Sequence, residues 1–264
     1  MKKIFLIILV GGVLFFVAAI VRSPQEVLPP PLAKYFSNKR TSCPSPFLFT
    51  MPIDLSRVTS ILYPGQIRGG NFKAHGGFRF DGSKPDDITV YAPIDARVIT
   101  GARYPVNDEI QYTFDFEHPC GIRYRLGHLL TLTPKFQALA EKFPLPTTLD
   151  SRTTQVSPPI DVKQGEIIAT AVGLTKGGPQ QLNGYNTFLD WGVYDYRQRN
   201  EASQMPDWPT RHALEDSEWG TYYNSEINQY AVCWFDWISA EDKAMVLSLP
   251  SSDSQSGKTS DYCK

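Results

Sequence analysis

Neither sign of charge is in excess in this chain, and neither histidine nor cysteine is plentiful. Lys and Arg number 26 against 27 Asp and Glu over 264 residues, for a formal net charge of −1. A nucleic-acid binder normally presents a strongly basic face, so no nucleic-acid partner is expected. The 4 cysteines include no C-x-x-C pair, which excludes a zinc knuckle and a thioredoxin-like redox site. No G-x-S-x-G elbow, P-loop or Rossmann glycine fingerprint occurs, so the commonest hydrolase, nucleotide and dinucleotide plans lack their residues. Helical periodicity is scarce and no internal repeat of the solenoid kind is found.

What is present begins with a membrane element. Met1-Lys2-Lys3 precedes "IFLIILVGGVLFFVAAIV", Ile4 to Val21, uncharged and mostly apolar. That run is long for a secretory signal and just long enough to cross a bilayer core, so residues 1–23 read as a signal anchor. The flanking lysines put the N-terminus inside and the bulk of the chain outside. A cleaved signal ending near Val17-Ala18-Ala19 is the alternative. Export suits the cysteines: Cys43, Cys120, Cys233 and Cys263 predict two disulfides, with three connectivities open. Residues 24–47 are rich in proline and polar residues and read as an extended tether. Residues 251–264 form a Ser-rich tail without apolar pattern, expected to be loop or disordered unless Cys263 pins it.

The region between, 48–250, alternates with a period of two. "DITVYAPIDARVITGARY", "EIQYTFDFEH", "GIRYRLGHLLTL", "GEIIATAVG" and "NTFLDWGVYDY" each read as a strand or a pair of strands. Turn signals stand at Pro119-Cys120-Gly121, Lys163-Gln164-Gly165 and Asn183-Gly184. Helices are expected at 134–143 and 239–249, the second opened by Ser239 with Asp242 three residues on, in the form of a capping box. The composition therefore predicts a mostly β, antiparallel sheet protein with a long polar and aromatic insertion at 197–232.

Five segments in order resemble the lysostaphin-like (LytM-type) zinc endopeptidases, which cut peptidoglycan cross-links on a duplicated hybrid motif fold. "HGGFRF" at 75–80 is similar to their H-x-G-x-D block, and "VYAPIDARVITGARY" to their A-P-x-x-G-x-V hairpin. "IRYRLGHL" resembles the Y-x-H-L strand, "IDVKQGEIIATAVG" the V-x-x-G-q-x-I-g hairpin, and "FLDWGV" stands where the family has H-L-H-F-E-V. The likeness spans about residues 63–195 and implies that fold, with an N-terminal transmembrane helix and a short C-terminal helix added. It also implies a cell envelope location: a single-pass, bacterial-type membrane protein whose domain lies on the extracytoplasmic side.

Carried over residue by residue, the resemblance implies a damaged metal site. The family holds zinc with the first His, the Asp four residues later and the second His of H-x-H, leaving one position for an activated water. His75 matches the first ligand, Arg79 replaces the Asp, and Asp190 replaces the last His. His128 matches an assisting histidine, and Phe188 replaces the other. The expectation is an Arg79–Asp190 ion pair in place of the metal, since a guanidinium can offset a carboxylate as a dication would. His75 then reads as an ordinary hydrogen-bonded histidine, and no cofactor is expected. The function so implied is binding of peptidoglycan, or of an envelope protein such as a wall hydrolase. The alternative is an active zinc endopeptidase with a remodelled site built from His75, Asp190 and either Asp81 or His128. Two further readings concern His118 and His212, which have no identifiable partner, and the aromatics. Trp191, Tyr194, Tyr196, Trp208, Trp219, Tyr222, Tyr223, Trp234 and Trp237 are either a sugar-stacking platform or core.

Overall fold

A computed structural model describes residues 41–68, 71–106, 109–144, 154–173, 187–208 and 226–264. The expected membrane segment, the expected turn at Asn183-Gly184, His212, Trp219, Tyr222 and Tyr223 lie outside these residues. All described residues belong to one compact unit. No helix among them is long and apolar enough to cross a membrane.

The unit is mostly β and its pairings are antiparallel, as the period-two runs predict. Strands β1 (Ser60–Leu62), β4 (Gly76–Arg79), β6 (Ala96–Val106), β7 (Glu109–Glu117), β8 (Ile122–Leu132), β9 (Thr154–Val162) and β11 (Phe188–Asp195) form one sheet. Their order is β1-β4-β11-β8-β7-β6-β9, while β10 (Ile167–Val172) pairs β5 (Val90–Tyr91) and the far end of β8. A separate two-stranded ribbon, β2 (Gln66–Arg68) with β3 (Asn71–Lys73), leads into β4.

The pleat sorts the residues. Leu189, Trp191 and Val193 of β11, Phe78 of β4, Phe114 and Phe116 of β7 and Tyr124 and Leu126 of β8 all enter the core. There Trp191 packs on Phe78 and Trp234 at centroid distances of 5.6 and 4.5 Å, and Phe116 stacks on Tyr124 at 4.5 Å. Each such fully buried ring contributes roughly 1.5–3 kcal/mol by leaving water. Helix α1 (Pro134–Ala140) starts with Pro at its first turn, where a missing N–H costs nothing, and lays Phe136, Leu139 and Ala140 on this core. Helix α2 (Ala240–Ser248) is capped by Ser239, whose Oγ accepts from the Asp242 N–H and donates to the Asp242 carboxylate. The Asp242 side chain thus meets the hydroxyl of Ser239, whereas a full capping box would have it meet the backbone N–H.

The disulfides are Cys43–Cys120 and Cys233–Cys263. They change two expected boundaries. The tether at 24–47 ends in folded structure: Cys43 is bonded to the β7–β8 turn, and the Phe47 ring packs edge-on against Phe49, His118 and Trp237. The Ser-rich tail is likewise pinned, as its condition on Cys263 required. Gln66 Nε2 donates to the carbonyls of Gly257 and Thr259, Ser260 Oγ to that of Pro64, and the Tyr262 ring fills the space beside Gly65. The opposite face of the sheet carries charge. Asp115 accepts from Arg125 Nε at 2.6 Å, from Arg125 Nη2 at 2.9 Å and from Thr100 Oγ1 at 2.6 Å, and Glu117 pairs with Arg123 at 3.2 Å. This is also the face on which Asp190 projects, because Asp190 pairs in register with Gly127, two residues from Arg125.

Candidate functional site

Three neighbouring strands build the site. Asp190 of β11 pairs with Gly77 of β4 on one side and Gly127 of β8 on the other. Neither glycine covers the carboxylate. A Cβ at Gly127 would lie 3.2 Å from Asp190 Cβ, and one at Gly77 would strike the Phe188 ring. His75, just before β4, brings its Nε2 within 3.4 Å of Asp190 Oδ1, and His128 brings its own Nε2 within 3.5 Å of Oδ2. The three side chains keep 23, 17 and 18% of their surface exposed, so water and ligands reach them.

His128 owes its place to a break in β8. Opposite β7, Tyr112 pairs with Leu129 and Phe114 with Leu126, so Gly127 and His128 together face Thr113 alone. This is a β-bulge, a device that re-aims side chains. It also marks where β8 exchanges β11 for β10 as its neighbour. His128 takes a φ of +61°, the left-handed region that non-glycine residues occupy at a cost. Its N–H donates to Tyr104 Oη at 3.0 Å and its carbonyl accepts from the Gly173 N–H at 2.6 Å. The imidazole Nδ1 meets Gln111 Oε1 at 2.6 Å, and Gln111 Nε2 donates to Glu109 Oε1 at 2.6 Å. Gln111 fits because Gly173 has no side chain: a Cβ there would fall 2.1 Å from the Gln111 amide nitrogen.

The expected Arg79–Asp190 pair does not form. Arg79 does share a face with Asp190, since it pairs in register with Phe188, but it stands one pleat further along. Its Nε lies 3.5 Å from Asp81 Oδ1, the carboxylate two residues on along its own chain, and Nη2 has no hydrogen-bond partner among the described residues. Asp81 is therefore the companion of Arg79 and stands apart from the histidines. The charges that do act on Asp190 come from residues the sequence reading passed over. Arg68 of β2 donates to the His75 carbonyl at 2.9 Å and to the Tyr63 carbonyl at 2.7 Å. Arg68 and Lys73 both place positive potential on Asp190 and His75. Their sequence signal was one cation on each strand of the β2–β3 ribbon.

The electrostatics follow. Burial, with the repulsion of Arg68, Lys73 and Arg125 added, pushes the His75 ring down to about 3 against the pull of Asp190. Burial lowers His128 too, with Asp190 working against it. Burial would raise the Asp190 carboxyl, but His75, His128, Arg68 and Lys73 outweigh it and hold the group below the usual carboxylate range. Burial also brings Arg68 down to about 10. At neutral pH the site is an ionised carboxylate between two neutral imidazoles, under two cations.

These residues do not fit a zinc ion. The two Nε2 atoms lie nearest different oxygens of one carboxylate. Among the described residues no group of three or more His, Cys, Asp or Glu side chains is arranged to hold a metal. Arg68 and Lys73 add charge of the wrong sign. The aromatics divide: Trp191, Tyr194, Tyr196 and Trp234 are buried, which is the core reading, and Trp208 and Trp237 are half-buried. Tyr194 turns its hydroxyl onto Gly192, where a Cβ would lie 2.4 Å from it and 3.0 Å from His75 Cβ. His118, left without a partner by sequence, accepts the Cys120 N–H at its Nδ1. Comparison with family models, with curated proteins and with solved structures finds no match in any of the three.

Proposed function

We propose that this chain is an exported, membrane-tethered domain of the lysostaphin-like type whose cleft binds cell-wall peptide without zinc chemistry, either to hold the wall or to regulate a wall hydrolase. The observation that carries the reading is the engagement of Asp190 by two histidines on separate oxygens, under Arg68 and Lys73. The positive potential of Arg68 and Lys73 at that carboxylate disfavours a dication there. The duplicated hybrid motif is supported by the landing of the five motif segments on strands β4, β5, β6, β8, β9, β10 and β11, with the three that carry site residues lying side by side.

Co-sedimentation of the full chain with purified peptidoglycan sacculi tests this reading. The expected result is saturable binding with no release of soluble wall fragments. Fragment release that depends on added zinc and is lost on His75→Ala would establish the endopeptidase instead.

A further inference from the structure

The polarity of one hydrogen-bond chain decides what His128 offers to a ligand. Gln111 Nε2 donates to Glu109 Oε1, which turns the amide's Oε1, an acceptor, toward His128. His128 then carries its proton on Nδ1, and its Nε2 presents a lone pair. That lone pair looks at Asp190 Oδ2, another acceptor, across 3.5 Å. Two acceptors face each other with no proton between them, in a position held by a β-bulge and a left-handed φ. Backbone strain of this kind persists where the surroundings enforce it.

We infer that His128 Nε2 and Asp190 Oδ2 form an acceptor pair for one backbone N–H of a bound peptide; this rests on the peptide-binding reading above and names the contact that would carry it. A single nitrogen can stand about 2.9 Å from both, because acceptors 3.5 Å apart share such points. The donor is neutral, because Arg68 and Lys73 already supply positive charge to Asp190 and would repel an ammonium. It is an amide rather than a sugar hydroxyl because rings wall the pair. Phe188 and Tyr104 stand edge-on to the His128 imidazole at 5.2 and 6.0 Å, and would leave the neighbouring hydroxyls of a sugar without partners. His75 meets the other carboxylate oxygen and leaves Oδ2 to the ligand.

The test is nitrogen NMR of the histidine rings in the ¹⁵N-labelled full chain, with two probes: acetyl-tetraglycine amide, and the same peptide methylated on every backbone nitrogen. The free protein at neutral pH is expected to show His128 protonated on Nδ1. The first probe should shift His128 Nε2 and the methylated one should not. Asp190→Asn should weaken the response about tenfold, as a charged acceptor becomes a neutral one. A His128 proton on Nε2 in the free protein would overturn the inference without any variant, as would equal responses to the two probes. If sacculi bind the chain but the amide peptide leaves His128 unmoved, this inference falls and the proposed function stands. If neither sacculi nor peptide is bound, both fall.

Discussion

Lowering the pH should loosen this fold through His75, by an amount the structure specifies. The ring is pushed from an ordinary 6.5 down to about 3, chiefly by burial. In the unfolded chain it takes up a proton below about pH 6.5; in the native protein it stays neutral until about pH 3. Over that window the unfolded state binds more protons, so stability rises with pH. The contribution is fully present above pH 6.5 and is lost as pH falls toward the folded value. Each pH unit in the window is worth about 1.4 kcal/mol, which from 6.5 to 5 gives about 2 kcal/mol. Water reaching the 23% of the side chain that remains exposed brings the figure to about 1–2 kcal/mol. Burial moves His128 in the same direction. The assay is urea denaturation of the full chain at pH 7.5, 6 and 5, for wild type and His75→Asn. Wild type should lose stability across the series and His75→Asn should lose about 1–2 kcal/mol less. Parallel curves for the two proteins, or a native His75 that titrates near 6.5 by NMR, would refute the reasoning.

Two further outcomes follow from the packing around the site. Asp115→Ala removes the acceptor of two Arg125 bonds and one Thr100 bond, leaving a half-buried guanidinium without its carboxylate. Chemical denaturation should record a loss of about 2–3 kcal/mol, and a loss below 1 kcal/mol would mean that water solvates Arg125. The Cys43–Cys120 and Cys233–Cys263 bonds close loops of 77 and 30 residues of sequence separation. The chain-entropy relation gives about 4–5 and about 3–4 kcal/mol for them, so Cys43→Ser with Cys120→Ser should lower the denaturation midpoint more than Cys233→Ser with Cys263→Ser.

The sheet could be read in advance because side-chain period and burial coincide. The alternation in "NTFLDWGVYDY" put Leu189, Trp191 and Val193 on one face, and those three are buried core. The same alternation placed Phe188 and Asp190 together on the other. Direction, however, is not distance. Arg79 shares that face, yet a strand advances roughly 6.6 Å per pleat, and Asp81 on the same chain segment is nearer to it than Asp190. The bulge at Gly127-His128 left no mark in "IRYRLGHLLTL", because an extra residue in a strand is defined by its partner strand, and the partner is known only after pairing. The alternating charges of "YTFDFE" and "IRYRL" look like a solvated face. They are ion pairs brought into register, Asp115 with Arg125 and Glu117 with Arg123, and covered. Arg68, Lys73 and Gln111 escaped notice for a related reason. Their importance comes from which neighbours the chain later folds onto them.

We propose that the Asp190 carboxylate, flanked by His75 and His128 under the charges of Arg68 and Lys73, stands in a site that does not take up zinc. The most direct test is the zinc content of the purified full chain after dialysis against trace zinc, beside His75→Ala. Zinc well below one per chain is expected in both proteins. Close to one zinc per wild-type chain, lost on His75→Ala, would contradict it.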